Sequence, residues 1–539
     1  MSKRSIGQKL KKALTAVFAV LGIPAVKKQD VQRNESKKNK AAVVLLLGGI
    51  LLALLVMFSA IWVRMSFGKV SIAAILFTLE FAQDGFTTGD IIEFLLKCVL
   101  PTVISGYVVC RLILISFSYK KATYKLGKKG EGVAFRFSRK IASIAGVFII
   151  IACIATTLLV LPIIQHIMTL GVKSEIYDDY YVAPTSDILV FPEEKRNLIY
   201  IYLESMENTY ADKQSGGAYD DNYIPNLTAL AMSDESISFS NSDKLGGASV
   251  FSDGMEFTMA SFVSQTAGVP ISSASNVNKK NYKLDRMLPG IVTLEDILKE
   301  QGYNQMLLQG STGKFAGTDL YYGRYDDTVF FPYESFISEG VVPEDYYEFW
   351  GVEDLKLYDY AKQELLRLSQ EPEPFAFTLF TIDTHRPEGF FCPECEEEYS
   401  EQYANVISCA DRQIAEFVSW LKEQDFYENT TVIIVGDHPS MNEEFFEEIG
   451  DYKRNTYNCI LNSAVEPVNT NNRLYSPIDM LPTTLAAMGV TVKGDRLGIG
   501  TNLFSEKPTL AEELGEEKLV SELNVKSDYY NEKFWLYEE

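Results

Sequence analysis

The stretch that decides the fold is Thr431-Val-Ile-Ile-Val-Gly-Asp437-His438. Its apolar, β-branched run is typical of a buried strand, and the glycine is followed by two side chains that commonly bind metals. Open α/β sheets place their functional groups at the carboxyl ends of such strands. The stretch therefore predicts half of a metal site. Alternatively, Asp437 and His438 cap a helix or hydrogen-bond to a loop.

Two further strand-like runs end in polar side chains. Leu198-Ile-Tyr-Ile-Tyr-Leu203 is followed by Glu204, and Phe375-Ala-Phe-Thr-Leu-Phe380 leads to His385, one of three histidines in the chain. Runs with helical spacing separate the strand-like runs. This alternation predicts an α/β domain with a mostly parallel sheet flanked by helices. Without further context, a structural histidine is the alternative interpretation of His385.

The net charge of −22 conceals two opposite segments. Residues 1–140 hold 23 Lys and Arg against 7 Asp and Glu, whereas the remaining 399 residues hold 27 against 65. Cytoplasmic segments of membrane proteins are rich in Lys and Arg. The split therefore predicts a membrane protein, and we expect no nucleic-acid partner.

Three uncharged or nearly uncharged runs are long enough to cross a bilayer core of about 30 Å, namely 41–63, 98–119 and 141–165. The run 70–82 is shorter and contains Glu80, which favours a re-entrant or interfacial segment. Three crossings from a basic cytoplasmic N-terminus place the rest of the chain outside. We therefore expect a multi-pass protein of the cell membrane with an extracytoplasmic catalytic domain.

These observations predict five segments along the chain. They are a basic cytoplasmic N-terminus at 1–40, a transmembrane region at 41–167, a linker at 168–196, a catalytic α/β domain at 197–505 and an acidic tail at 506–539.

Four cysteines fall in the outer domain, where disulfides persist: Cys392, Cys395, Cys409 and Cys459. Cys392-Pro-Glu-Cys395 together with Cys409 could hold a metal, but one CxxC and a lone cysteine are a weak zinc signal. We therefore expect a local disulfide, whose pairing the sequence leaves open.

A threonine begins a helix-like run that lies between the strand-like segments 198–203 and 375–380. The run Glu256-Phe-Thr258-Met-Ala-Ser-Phe-Val-Ser-Gln265 has helical apolar spacing from Thr258 onward. A threonine at this position ordinarily serves as an N-cap. If Glu204, Asp437 and His438 bind a divalent cation beside it, that cation would lower the pKa of the hydroxyl and favour attack on a phosphoryl group.

Taken in order, these motifs resemble the membrane phosphoglycerol transferases of the alkaline phosphatase/sulfatase superfamily, with lipoteichoic acid synthases as more distant relatives. The resemblance covers about residues 197–505. It rests on Tyr202-Leu-Glu204-Ser, Thr258-Met-Ala-Ser-Phe-Val-Ser-Gln265, Thr381-Ile-Asp-Thr-His385 and Gly436-Asp437-His438.

The resemblance implies a divalent metal held by Glu204, Asp437, His438 and the nucleophilic Thr258. It also implies that His385 binds or protonates an oxygen of the phosphate. Mn²⁺ is the expected ion, with Zn²⁺ or Mg²⁺ as alternatives. Because Ser252 lies close to where the synthase branch places its threonine, it is the alternative nucleophile.

The resemblance further implies transfer of phosphoglycerol from phosphatidylglycerol, or a similar lipid, to an extracellular glycan or polymer through a covalent intermediate. Alternatives are phosphoethanolamine transfer, phosphodiester hydrolysis, and a non-catalytic membrane sensor or assembly protein. Sulfate-ester hydrolysis is not expected, because the chain lacks the Cys/Ser-x-Pro-Ser-Arg segment that forms the modified nucleophile. The donor headgroup, the acceptor and the oligomeric state are left open by the sequence.

Overall fold

The computed structural model of the protein describes residues 15, 17–18, 20–22, 26–34, 40–68, 70–81, 88–126, 132–169, 171–272, 287–323 and 328–535. The chain divides into two compact units. The first comprises Met1–Met65 and Phe86–Ile163, and the second comprises Ser66–Gly85 and Ile164–Glu539.

Three helices are long and apolar enough to cross a membrane: Lys40–Phe67, Ile91–Ser118 and Arg139–Val160. The second is built from Thr88–Phe94, a π-helical turn at Leu95–Val99, and Leu100–Ser118. Their mean hydropathies are 2.9, 2.1 and 2.6, and little of each is buried inside the protein. The prediction of three membrane-capable helices is confirmed.

Basic segments of the first unit form a three-stranded antiparallel sheet, which the sequence analysis did not predict. Its strands are Val26–Arg33, Tyr119–Leu126 and Gly132–Arg136. In the middle strand, Ala122 and Tyr124 are buried and alternate with the partly exposed Lys121, Thr123 and Lys125. This two-residue period is that of a strand with one covered face.

The short apolar run at 70–82 forms the helix Ile72–Phe81, which belongs to the second unit. Its ten residues extend only about 15 Å at 1.5 Å per residue. It is therefore too short to cross a bilayer core of about 30 Å.

A seven-stranded sheet forms the centre of the second unit. Five neighbouring strands pair in parallel, and at one edge the last two strands each pair antiparallel with the preceding strand. In spatial order they are Ser236–Ile237, Asn458–Leu461, Thr430–Gly436, Asn197–Leu203, Phe375–Phe380, Asn304–Gln309 and Thr328–Phe331. The predicted α/β fold with a mostly parallel sheet is confirmed.

The central strand Asn197–Leu203 is buried on both faces. Tyr200 and Tyr202 belong to one hydrophobic core cluster, whereas Ile199 and Ile201 belong to another. Because successive side chains of a strand point to opposite faces, a continuous apolar run fits a parallel sheet covered on both sides.

Helices supply the covering layers. Thr258–Ala267, Leu294–Glu300 and Met480–Ala487 contribute to the first cluster, and Pro225–Ala231, Asp354–Leu368 and Gln402–Lys422 contribute to the second. The other helices outside the first unit are Ile163–Thr169, Ile176–Tyr180, Thr318–Tyr322, Tyr333–Ser338, Leu510–Leu514, Glu516–Leu523 and Asp528–Tyr530. Two short strand pairs complete the described part: Leu189–Val190 with Thr491–Val492, and Arg496–Leu497 with Gly500–Thr501.

Side chains from the predicted linker and the predicted acidic tail are part of the core. The ring centroid of Tyr177 lies 5.2 Å from that of Tyr530 and 6.0 Å from that of Phe534. Ile176 and Leu523 are buried in the same cluster. The two ends of the second unit therefore pack against each other.

The expected local disulfide is not formed, since all seven cysteines are free. The sulfur of Cys392 lies 3.6 Å from that of Cys395 and 3.7 Å from that of Cys409. A disulfide bond measures about 2.05 Å. The expectation was wrong because three sulfurs converge at one point, and the geometry favours no single pair.

Candidate active site

The register of two parallel strands places Glu204 beside Asp437. Leu203 pairs with Gly436 where the strands end, so the next residue of each strand lies at the same edge of the sheet. The backbone N–H of Ser205 donates to Asp437 Oδ1 at 2.8 Å. Ser205 has a positive φ of 51°, which turns the chain immediately after Glu204. Both carboxyl groups are fully buried.

His438 completes a three-residue cluster with these carboxylates. Its Nε2 lies 3.4 Å from Asp437 Oδ2 and 3.8 Å from Glu204 Oε1. Its Nδ1 lies 2.9 Å from the carbonyl oxygen of Pro439. Since a carbonyl can only accept, Nδ1 carries the proton in the neutral ring and Nε2 turns its lone pair toward the carboxylates. With the ring neutral, this arrangement favours a cation among the three groups.

The buried oxygens of the cluster support a cation site. Glu204 Oε2 and Asp437 Oδ2 are buried without a hydrogen-bond partner among the described residues. Burial raises the pKa of both carboxyl groups, and the charge of Asp437 raises that of Glu204 further. Ligand atoms of Glu204, Asp437 and His438 all lie within 4.8 Å of one another. Two carboxylates and an imidazole suit Mn²⁺ or Zn²⁺, so these residues fit a divalent metal.

Thr258 contributes a hydroxyl to the same cluster. Thr258 is the first residue of the helix Thr258–Ala267. The N-cap position before it is occupied by Phe257, whose side chain makes no capping hydrogen bond. The Thr258 side chain is therefore not used as an N-cap, and its buried Oγ1 lies 3.3 Å from His438 Nε2. The helix N-terminus adds unpaired N–H groups and the positive end of the helix dipole near this point.

Ser252, the alternative nucleophile, is engaged elsewhere. Its Oγ accepts from the backbone N–H of Gly254 at 3.2 Å and caps the 3₁₀ turn Asp253–Met255. The same hydroxyl donates to Asn524 Oδ1 at 2.9 Å. The structure thus gives Ser252 a structural role and brings Thr258, not Ser252, to the carboxylate cluster.

His385 is half-buried in an aromatic setting close to the cluster. Its ring centroid lies 5.0 Å from that of Trp350 and 5.5 Å from that of Phe315. Its Nδ1 donates to the carbonyl of Arg386 at 3.1 Å, the same arrangement that His438 adopts with its own neighbour. Burial, together with the positive charge of Arg386, lowers the pKa of His385. The ring is therefore neutral at physiological pH, with Nε2 as an acceptor.

Glu207 and Arg454 form an ion pair that the sequence analysis missed. Arg454 Nε donates to Glu207 Oε2 at 2.9 Å, and a second guanidinium nitrogen bonds to Oε1. The N–H of Ser440 donates to Glu207 Oε1 at 2.8 Å, and its carbonyl accepts from Arg454 at 2.6 Å. The pair therefore fixes the chain two residues beyond His438. No pattern in one sequence joins residues 247 positions apart.

A cavity of about 250 Å³ borders this part of the second unit. It is lined by the apolar residues Phe67, Val70 and Ala74 and by the polar residues Ser440 and Arg454, among others. The segment that leads into the helix Ile72–Phe81 therefore lies close to residues that follow His438 in the chain.

Comparison with known proteins decides the family. A family model described as Sulfatase matches residues 196–490, which is more than half of the chain. The chain belongs to the sulfatase family. This sulfatase-family protein is 28% identical over 341 residues to phosphoglycerol transferase I of Xanthomonas euvesicatoria pv. vesicatoria (strain 85-10), and the match covers 60% of this chain and 46% of that protein. The chain thus spans about half the length of that relative.

Two solved structures resemble the sulfatase-family protein. The lipoteichoic acid synthase LtaP from Listeria monocytogenes is 19% identical, with a TM-score of 0.44 over 61% of this chain and 81% of that one. The lipooligosaccharide phosphoethanolamine transferase A (EptA) from Neisseria meningitidis is 13% identical, with a TM-score of 0.48 over 88% of this chain and 86% of that one. The Sulfatase family match over residues 196–490 confirms, at the level of the family, the resemblance stated from the sequence motifs.

Proposed function

We propose that this protein is a membrane-anchored, metal-dependent transferase that moves phosphoglycerol from phosphatidylglycerol to an extracellular glycan or polymer. The observation that carries the proposal is the 3.3 Å separation of Thr258 Oγ1 from His438 Nε2, inside a buried cluster with two carboxylates. A hydroxyl held among metal-binding side chains is suited to nucleophilic attack on phosphorus.

Glu204, Asp437, His438 and Thr258 would hold the metal, which we propose to be Mn²⁺. When bound, this ion would lower the pKa of the Thr258 hydroxyl and offset negative charge on the phosphate. The buried oxygens of Glu204 and Asp437, which have no hydrogen-bond partner in the part of the chain that the structure describes, support this assignment.

The first transfer forms a bond between Thr258 Oγ and phosphorus and breaks the bond between phosphorus and the diacylglycerol oxygen. The proton lost by Thr258 is balanced by the proton that the diacylglycerol oxygen gains. The second transfer reverses the roles, with an acceptor hydroxyl attacking the phosphoglycerol on Thr258. Neutral His385 is suited to orient that hydroxyl by accepting a hydrogen bond from it, because its Nδ1 is already bonded and its Nε2 is an acceptor.

The surroundings of the cluster support a lipid donor. The helix Ile72–Phe81 exposes Leu76 and Leu79, which are 49% and 54% accessible. The segment before it lines the cavity that also contains Ser440 and Arg454. An apolar segment beside a polar site suits a substrate with acyl chains and a phosphate headgroup.

Membrane attachment supports the same substrate class. Three helices can cross a membrane, and the basic residues that flank them support an extracytoplasmic second unit by the positive-inside tendency. Attachment to the membrane keeps a site at a high effective concentration of its lipid. The name of the relative, phosphoglycerol transferase I, supports phosphoglycerol as the transferred group.

The test uses purified full-length protein in detergent micelles with radiolabelled phosphatidylglycerol and Mn²⁺. We expect release of labelled diacylglycerol and, with Thr258→Ala, none. Intact-protein mass spectrometry should show a phosphoglycerol adduct on Thr258 when no acceptor is present. Release from phosphatidylethanolamine alone would reassign the headgroup, and full turnover by Thr258→Ala would refute the nucleophile.

A further inference from the structure

A second cluster of metal-binding side chains lies outside the proposed catalytic cluster. It consists of Cys392, Cys395 and Cys409, whose sulfur atoms all lie within 4.8 Å of one another. It shares no residue with the Glu204, Asp437 and His438 cluster. Cys392 and Cys409 are buried, whereas Cys395 is partly exposed.

The sulfur separations match those of thiolates around one ion. Cys392 Sγ lies 3.6 Å from Cys395 Sγ and 3.7 Å from Cys409 Sγ. Two thiolates bound to one tetrahedral zinc at Zn–S distances of about 2.3 Å are roughly 3.8 Å apart. A disulfide would leave one of the three thiols without a covalent partner, whereas a single ion uses all three.

A buried amide group faces the sulfurs. Gln413 Nε2 lies 3.3 Å from Cys392 Sγ and 3.5 Å from Cys409 Sγ. Gln413 is one turn along the helix from Cys409, so helix geometry places both side chains on the same face. An N–H donor directed at two sulfurs stabilises their thiolate form, as outer-sphere partners of metal ligands do.

The cysteines join two parts of the second unit. Cys392 and Cys395 lie in the connection between the strand Phe375–Phe380 and the helix Gln402–Lys422, and Cys409 lies on that helix. This connection of 21 residues contains no helix or strand and carries His385. Connections of this length inside a compact domain usually need additional anchoring.

We propose that Cys392, Cys395 and Cys409 bind a soft divalent metal ion, with Zn²⁺ as the expected ion. The three thiols lose their protons as the ion binds, and a water molecule supplies the fourth ligand. The partly exposed Cys395 gives the ion a route from solvent. The ion holds the His385-bearing connection against the helix Gln402–Lys422. This site is structural and is independent of the proposed transferase function.

The experiment measures zinc by elemental mass spectrometry. The sample is full-length protein purified in detergent without chelators. Asp437→Asn is introduced first, because it removes the other cluster as a source of bound metal. We expect one zinc ion per chain in Asp437→Asn, loss of that ion on adding Cys395→Ser, and its retention on adding Cys459→Ser. Cys459 is the matched control, since it is a buried free cysteine outside the cluster.

A second measurement needs no cysteine variant. Full-length protein of natural sequence is alkylated in detergent without denaturant, with and without a chelator, and the modified cysteines are mapped. We expect the three cluster cysteines to react only after chelation. The proposal is overturned if Asp437→Asn contains no zinc, or if intact mass and peptide mapping show Cys392 linked to Cys395 or Cys409.

Discussion

Thr258 Oγ1 lies 3.3 Å from His438 Nε2, although 180 positions separate the two residues in the chain. The contact exists because a helix N-terminus and a strand end meet at the same edge of the sheet. The contact brings a hydroxyl that does not cap the helix to a cluster of buried side chains that can bind a metal.

Replacing Thr258 by alanine should lower diacylglycerol release by roughly a thousandfold or more, because the nucleophile is lost. Thr258→Ser should keep measurable turnover, since it retains a hydroxyl at the helix start. Ser252→Ala is the matched control: it should keep near-normal turnover and lose about 1 kcal/mol of stability, because that hydroxyl caps a turn. Initial rates and thermal unfolding of the three variants separate these effects. Loss of turnover in Ser252→Ala would reverse the assignment of the nucleophile.

Removal of a cluster carboxylate should change metal binding and metal-free stability in opposite directions. Glu204→Gln should abolish tight binding of Mn²⁺ in calorimetric titration. In metal-free protein, the same change should raise the free energy of unfolding by about 1 kcal/mol, because it removes repulsion between two buried carboxylates. Asp411→Asn, a buried carboxylate outside the cluster, should leave Mn²⁺ binding intact. Unchanged Mn²⁺ affinity in Glu204→Gln would contradict the proposed ligand set.

The pH dependence of the transfer should reflect the lowered pKa of His385. If the neutral ring is the active form, activity persists as the pH falls. It is lost only when the pH falls below the lowered pKa of His385. The acid limb of the pH–rate profile should therefore lie well below pH 6.5, the ordinary value for histidine being about 6.5. Arg386→Gln removes a positive charge that lowers the pKa and should move the acid limb to higher pH. Arg412→Gln removes a positive charge that is not among the causes of this shift and should not move the acid limb. An acid limb at or above 6.5 in the unmodified protein would rule out this role.

The ion pair between Glu207 and Arg454 should show strong coupling in a double-mutant cycle. Arg454→Met leaves the buried Glu207 without its partner and should cost about 3–5 kcal/mol of stability. Replacing both by methionine should cost less than the single change, because no unpaired buried charge remains. The free energy of unfolding from denaturant titration gives the coupling. Additive losses would show that the pair does not act as a unit.

Several features of the fold could be predicted from local patterns. The continuous apolar run of Asn197–Leu203 fits a strand covered on both faces, and the long uncharged runs fit membrane-crossing helices. Glu204, Asp437 and His438 could be chosen because polar residues at the ends of parallel strands meet at one edge. The three-stranded sheet of the basic segments could not be predicted, because lysine is uncommon in strands.

The sequence by itself determined which side chains are available and at which strand ends they stand, because strand periodicity and charge distribution are local properties of the chain. Only the tertiary structure decided which of them meet. The pairing of Leu203 with Gly436 puts Glu204 beside Asp437, and the helix start selects Thr258 over Ser252. The same holds for the three converging cysteines and for Glu207 with Arg454. Such contacts depend on strand register and on the packing of distant segments, and neither is encoded in local spacing.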